Sequence, residues 1–261
     1  MLRLLSILAL AAAAPPPPSL PKPPPALEGP TMDLPPVVAP PGGCAPDTLV
    51  RLVVRNVSPG LAAADPRAQP RLMYRRSSIY MRTEEPPDPS HNGAKMLFIV
   101  SEPDIWIVDA STRSGRHSRD AGPQFEVHAP ILPNLADLPP AFQALEFGCE
   151  AAFVAANAPE VRRTLAWGET TAALHALTAG DQTVALLMDE RRGAPLMVSY
   201  LRKGKPVWVV RYDEFRADLP EHPELFQPSK STRIQEAPPP GAPPLITPQA
   251  PRPETPLRQP R

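Results

Sequence analysis

The chain has 261 residues, with equal numbers of basic and acidic side chains and a formal net charge of zero at pH 7. This balance excludes a strong overall field that would draw the protein to nucleic acid or to anionic lipid. Its 42 prolines concentrate in residues 15–46 and 238–260, so two proline-rich arms flank one ordinary segment. We expect residues 47–236 to form one β-rich domain, residues 15–46 to be a disordered spacer and residues 237–261 a disordered tail.

The N-terminus has the order of a secretory signal. A basic residue, Arg3, precedes an apolar run over residues 4–10 and an alanine-rich stretch with small residues at a cleavage site. We interpret residues 1–14 as a signal peptide cleaved near residue 11; the alternative is a disordered Ala/Pro leader. No apolar run reaches the roughly 18 residues that span a membrane. The sequence therefore predicts a periplasmic or secreted protein without a transmembrane segment.

The first part of the domain reads as short strands. Residues 49–57 are rich in β-branched side chains. Residues 74–82 read as one polar strand, and its Arg75, Arg76 and neighbouring serines suit a sheet edge that must resist pairing with other chains.

Residues 94–109 form the most apolar stretch and predict a hairpin around the turn Glu102-Pro103-Asp104. Antiparallel strands with one solvated face alternate apolar and polar side chains. Here apolar side chains occupy both faces of both strands. Both faces therefore need cover, either from more protein or from an apolar ligand.

One helix is predicted over residues 138–157. Apolar side chains recur at spacings of three and four, among them Phe142, Leu145 and Phe153. This helix would place Glu146 and Glu150 one turn apart, and we interpret them as an exposed polar face in preference to an acid–base pair.

The remaining elements predict an antiparallel meander. Two short strands, over residues 116–120 and 125–128, precede the helix. Five follow it at hairpin spacing. These five lie at residues 161–167, 171–177, 183–188, 195–201 and 207–212.

The sequence contains no signature of an enzyme: a phosphate-binding glycine loop, a G-x-S-x-G elbow and an H-E-x-x-H pair are all missing. The nearest approach to a metal or acid–base cluster is His117, Asp120 and His128, which we interpret as solvated turn residues. The basic turn at residues 202–205 lacks the aromatic neighbours of a nucleic-acid groove. We predict no catalytic residues, no metal, no cofactor and no nucleic-acid partner.

The hairpin and the end of the domain carry a resemblance to a known family. An apolar strand (residues 96–100), a short turn and a strand of the form x-W-hydrophobic-x-D (residues 105–109) precede a turn with Gly115. Later come a Pro-Leu strand start at residue 195, a basic glycine turn and a Leu-Phe-x-Pro close over residues 225–228. Over residues 72–235 this pattern resembles the LolA/LolB-like lipoprotein-sorting superfamily, the outer-membrane lipoprotein carriers.

The resemblance implies a mainly β fold: an antiparallel meander forming an incompletely closed barrel, with one or more helices against its open face. It also implies a concave cavity for acyl chains, so the partner would be an apolar ligand or a lipidated protein. We expect seven side chains near that concave face to contact the ligand: Met96, Phe98, Trp106, Val184, Leu186, Met197 and Val209. The alternative is a structural or interaction protein of the envelope whose barrel is filled by its own side chains, with the proline arms as tethers.

The chain has two cysteines, Cys44 and Cys149. In an oxidising compartment an even number of cysteines favours a bridge, and we expect this pair to form one. The alternative is a small buried apolar residue at Cys149 and a free thiol at Cys44.

The proline distribution generates a first prediction. Removing either proline-rich arm should change the melting temperature by no more than a couple of degrees, because neither arm has core-forming runs. Calorimetry on the trimmed proteins measures this, and limited proteolysis of the full chain should leave one resistant fragment near residues 47–236. A larger drop in melting temperature on trimming either arm would contradict the assigned boundaries.

Overall fold

Twelve strands form one sheet in the computed structural model, which describes residues 44–237 apart from 121, 123–125 and 159. The first six are β1 Leu49–Asn56, β2 Arg71–Arg76, β3 Tyr80–Glu84, β4 Met96–Ser101, β5 Asp104–Asp109 and β6 Ser114–Arg119. The others are β7 Arg163–Trp167, β8 Thr170–Ala179, β9 Gln182–Asp189, β10 Pro195–Arg202, β11 Lys205–Leu219 and β12 Arg233–Glu236. Two helices, α1 Pro140–Gln143 and α2 Glu150–Asn157, lie between β6 and β7.

The strand order is β12-β6-β5-β4-β3-β2-β1-β11-β10-β9-β8-β7. Neighbours pair antiparallel, except that β12 lies parallel to β6. Two meanders, β2–β6 and β7–β11, are joined because β1 pairs with β2 on one side and β11 on the other. The sheet does not close, since β12 and β7 remain at opposite ends. The predicted mainly β, incompletely closed architecture with helices is confirmed.

Residues 126–158, which we call the cover segment, lie across one face of the sheet and carry both helices. Aromatic side chains fix this contact: the Phe142 ring meets Tyr200 at 6.5 Å between centroids, and Phe147 meets Tyr212 at 6.2 Å. The indole Nε1 of Trp208 donates to the carbonyl of Ile131 at 2.9 Å. The main core therefore lies between the cover segment and β1, β2 and β9–β11.

The single helix predicted over residues 138–157 is wrong, because the chain leaves helical geometry between α1 and α2. Gly148 has φ +83°, a conformation that glycine adopts without steric cost. Just before it, the backbone pairs with an earlier part of the cover segment: the Phe147 amide donates to Ala129 at 2.8 Å, and the Ile131 amide donates to Leu145 at 3.1 Å. Glu146 therefore lies in an extended bridge with Pro130, not one helical turn from Glu150.

The polar strand predicted over residues 74–82 is also wrong. The chain reverses there through Ser77, whose φ is +49°, and forms the hairpin of β2 and β3. Both strands lie inside the sheet, not at its edge, so Arg75 is buried. The strand predicted at 125–128 is not formed over residues 126–128, and residue 125 lies outside the described residues.

The face of β3–β5 that points away from the cover segment is partly covered by residues 220–232, which we call the C-terminal part. A short 3-10 helix, Pro223–Phe226, places Phe226 5.2 Å from the ring of Tyr80. The guanidinium of Arg82 donates to the carbonyl of Leu225 at 3.1 Å. Ile99 and Val108, on this face of the central hairpin, are buried. The chain thus partly covers one of the hairpin's two apolar faces itself.

Cys44 and Cys149 form a disulfide, with 5.9 Å between their Cα atoms, which confirms the predicted bridge. It ties the residues before β1 to the residue that precedes α2. No helix in the described part of the chain is long and apolar enough to cross a membrane.

The bridge generates a second prediction. The cysteines are 105 residues apart, and in the chain-entropy model opening a loop of about 100 residues costs up to roughly 4.7 kcal/mol. Reduction should therefore lower the free energy of unfolding by about 2–5 kcal/mol in a urea titration. A Cys44→Ala/Cys149→Ala variant serves as the control, because reductant should not change its stability. Equal stability of the oxidised and reduced wild type would contradict the role assigned to this bridge.

Candidate functional site

The side of the sheet that faces the cover segment is filled over one half. Leu52, Val184, Leu186 and Val198 are completely buried there, beneath cover-segment side chains such as Phe142. We call this region the sealed half. No accessible surface remains on these four strand residues. In the sealed half, the chain's own apolar side chains therefore fill the space beside the sheet.

Beyond β3 part of the same side of the sheet is exposed, although Val100 on β4 is buried there. Phe98 on β4 and Ile107 on β5 are direct cross-strand neighbours, and their exposed fractions are 37% and 44%. The next residue in this row is Arg116 on β6, opposite Ile107 and also exposed. We call Phe98, Ile107 and Arg116 the open strip. At its inner end Phe98 pairs with Thr83, which is buried.

The strand registers divide the seven predicted ligand residues between the two faces. Met96, Phe98, Val184 and Leu186 lie on the side of the cover segment, as expected. The other three, Trp106, Met197 and Val209, lie on the opposite side, because Trp106 pairs with Ile99, Met197 with Arg211 and Val209 with Ser199. The common face expected for all seven is therefore corrected, whereas their role as ligand contacts stays a prediction.

A buried ion pair holds the cover segment on the sheet. Arg75 and Glu146 are 1% and 2% exposed, and their charged groups lie 2.5 Å apart. The Arg75 guanidinium also donates to the carbonyls of Phe147 at 2.8 Å, Cys44 at 3.0 Å and Val127 at 3.2 Å. The Arg75 side chain on β2 therefore satisfies backbone carbonyls close to both cysteines of the disulfide.

Both carboxylate oxygens of Glu146 have polar partners. Its second partner is His128, whose Nδ1 lies 2.8 Å from Oε1, and the amide of Ala129 donates to Oε2 at 3.2 Å. The interpretation of Glu146 and Glu150 as an exposed polar face is wrong, since both are buried.

Glu150 forms a second polar link between the cover segment and the sheet. The Tyr212 hydroxyl on β11 donates to Oε1 at 2.5 Å, and the Gly148 amide donates to the same oxygen at 3.1 Å. The other oxygen, Oε2, is buried and has no hydrogen-bond partner among residues 44–237 as far as the structure describes them. Burial raises the pKa of Glu150 to about 7, because desolvation disfavours the carboxylate. Burial and the neighbouring Glu150 raise the pKa of Tyr212 well above 10.

His117, Asp120 and His128, the nearest approach to a cluster in the sequence, do not come together as a metal site among the described residues. His117 lies on the face opposite the cover segment, stacked on Trp106 at 5.1 Å between ring centroids. Its two nitrogens contact Glu236 at 2.6 Å and Asp104 at 2.9 Å, whereas His128 belongs to the Glu146 group. Among the described residues, no group of three or more His, Cys, Asp or Glu side chains is placed to hold a metal ion.

Three surface clefts lie away from the open strip. The largest, of about 530 Å³, is bordered by prolines such as Pro66 and Pro86, with Glu84, Glu85 and Lys95 at its margin. A second, of about 470 Å³, lies between β3–β5 and the C-terminal part. A third, of about 400 Å³, lies beside the β9–β10 turn. None of the seven predicted ligand residues lines any of the three.

Sequence reasoning missed Ile107 and Arg116 as part of a site, and it missed the buried group around Arg75. The sequence could have predicted Ile107 as a site residue, since it belongs to the apolar hairpin. Arg116 and Arg75 carried no signal that distinguishes them from other arginines, because their neighbours come from strands or segments distant in sequence.

Comparisons with known proteins give only distant likenesses. No family model and no curated protein matches the chain. An uncharacterised conserved protein from Thermus thermophilus is 14% identical with a TM-score of 0.40, and the match covers 73% of this chain and 91% of that one. MucB in complex with MucA(peri) is 12% identical with a TM-score of 0.39, covering 72% and 57%. A LolA superfamily protein, NE2245 from Nitrosomonas europaea, is 12% identical with a TM-score of 0.27, covering 70% and 90%. Such distant likenesses carry no argument about function.

Burial of Glu150 generates a third prediction. Its pKa of about 7 exceeds its ordinary value of 4.5, so the folded protein holds this proton more tightly than the unfolded chain. Its contribution to the free energy of unfolding should therefore fall by about 3 kcal/mol as pH rises from about 4.5 to about 7, and level off at higher pH. Glu150→Gln has no such proton, and denaturant titrations over this range should show its pH dependence reduced by that amount.

The matched control for this test is Glu169→Gln, at an exposed glutamate, which should keep the wild-type pH profile. If Glu150→Gln kept that profile as well, Glu150 would not be the group that titrates.

Proposed function

We propose that the protein is an exported binding protein of the cell envelope that holds an alkyl or acyl chain on the open strip. The observation that carries this proposal is the exposure of Phe98 and Ile107 side by side, on the side of the sheet that faces the cover segment but beyond the sealed half. Burying a large apolar side chain contributes roughly 1.5–3 kcal/mol, so an apolar chain lying on this pair gains free energy from both. The occupant would be a lipid or the acyl chain of a lipidated protein.

A separate observation, the disulfide, supports export of the protein to an oxidising compartment. Disulfides persist in oxidising environments, and the Cys44–Cys149 bridge supports export. Nothing in the proposed function requires catalysis, since the open strip offers apolar contact and one cation, with no paired acid and base.

A second function has its own support. The complete burial of Val184 and Leu186 under the cover segment favours a structural or interaction protein of the envelope whose concavity is filled by its own side chains. In that case the open strip would be an ordinary part of the surface and would bind no amphiphile.

Binding of a neutral amphiphile separates the two functions. Dodecyl maltoside below its micellar concentration should bind the wild type with one site in calorimetry. Phe98→Gln/Ile107→Gln should weaken binding about tenfold or more, because two apolar contacts are lost. Both side chains are more than a third exposed, so the variant should keep its melting temperature.

Val207→Gln is the matched control, because Val207 is 47% exposed on β11, far along the sheet. It should bind as the wild type does. Absence of binding to the wild type, or equal weakening by the control, would contradict the proposed function. Native mass spectrometry of protein purified from its own host, examined for co-purifying lipid, tests the same claim without an added probe.

A further inference from the structure

The open strip has a direction: it is apolar at one end and cationic at the other. Across β4, β5 and β6 the row on this face reads Phe98, Ile107, Arg116, and Gln235 on β12 follows. Adjacent strands lie about 4.7–4.9 Å apart, so the row from Thr83 to Arg116 spans roughly 14 Å. Thr83, at the inner end, is buried beside the sealed half, whereas Arg116 lies at the outer end.

The charge on Arg116 is not neutralised by the protein. Within the described part of the chain, Arg116 makes no ion pair. The same-face positions beside it on β6 are Ser114 and Ser118, and its neighbour on β12 is the uncharged Gln235. Arg75, on the same side of the sheet, is by contrast paired with Glu146.

The carboxylate on this face diagonal to Arg116 is engaged elsewhere. Asp109 pairs with Ser114 across β5 and β6. Its carboxylate accepts hydrogen bonds from the Ser111 amide at 2.9 Å, the Ser111 hydroxyl at 2.6 Å and the Thr112 hydroxyl at 2.9 Å. It therefore closes the β5–β6 turn, and the guanidinium of Arg116 remains available to an external anion.

We propose that the open strip selects an anionic amphiphile, with the alkyl chain on Phe98 and Ile107 and the anionic head at Arg116. This inference rests on the proposed function and narrows its ligand class. A planar guanidinium offers a carboxylate or phosphate two parallel hydrogen bonds. A chain entering from Arg116 runs toward the sealed half, so the charged head stays in solvent while the tail lies against apolar side chains. A neutral or cationic head gains nothing at Arg116.

The test compares two probes with the same alkyl chain, dodecanoate and dodecyl maltoside, both below their micellar concentrations at a pH of about 8, where the carboxylate is ionised. Arg116→Gln should weaken dodecanoate binding roughly three- to tenfold, as expected for one partly exposed charged contact, and leave dodecyl maltoside unchanged. Arg116→Lys should retain most of the affinity for dodecanoate. The effect of Arg116→Gln should shrink between about 10 mM and about 1 M salt, as the Debye length falls from about 30 to about 3 Å.

Arg119→Gln is the matched control. Arg119 lies on the same strand but pairs with Asp104, on the opposite face, so its removal changes net charge equally without touching the open strip. Equal weakening by both variants would show general charge attraction and overturn the inference. Unchanged dodecanoate binding in Arg116→Gln, with binding lost in Phe98→Gln/Ile107→Gln, would overturn the inference and leave the proposed function standing. If neither probe binds the wild type, the proposed function fails.

Discussion

The fold depends on a guanidinium buried between the sheet and its cover. Arg75 is 1% exposed, paired with Glu146 and bonded to backbone carbonyls of the cover segment and of Cys44. A buried ion pair contributes little net stability, but removing one partner costs about 3–5 kcal/mol because it leaves a buried charge unpaired. Together with the Glu150–Tyr212 hydrogen bond and the disulfide, this pair fixes where the cover lies on the sheet. These contacts therefore also determine which strands the cover segment reaches and which strands it leaves exposed.

The sheet presents more apolar surface than the chain covers. The C-terminal part lies over one face of β3–β5, and the cover segment buries the opposite face over β1, β2 and β9–β11. What remains is the row from Phe98 to Arg116. Isolated exposed apolar residues are ordinary on protein surfaces. This pair differs because the two side chains are adjacent and lie on the side of the sheet that the cover segment partly covers. They also adjoin Arg116, which has no ion-pair partner among the described residues.

The sequence predicted those parts of the fold that depend on local patterns. The apolar hairpin, the meander after residue 160 and the Cys44–Cys149 bridge were predictable because β-rich runs, turn residues and cysteine number are local signals. The broken helix was not, because Glu146 leaves helical geometry to meet Arg75, which lies far earlier in the chain. The Ser77 turn lacks the usual glycine or proline, so β2 and β3 resembled one edge strand. The faces of Trp106 and Phe98 were undetermined because both faces of the hairpin are apolar.

Methyl-selective NMR of isoleucines during a dodecanoate titration can show whether the open strip or the sealed half receives the alkyl chain. We expect dose-dependent shifts at Ile107, with little change at Ile99 beneath the C-terminal part or at Ile131 in the core, both of which are buried. Shifts centred on Ile131, with Ile107 unmoved, would instead show that the ligand enters the sealed half, and binding on the open strip would be wrong.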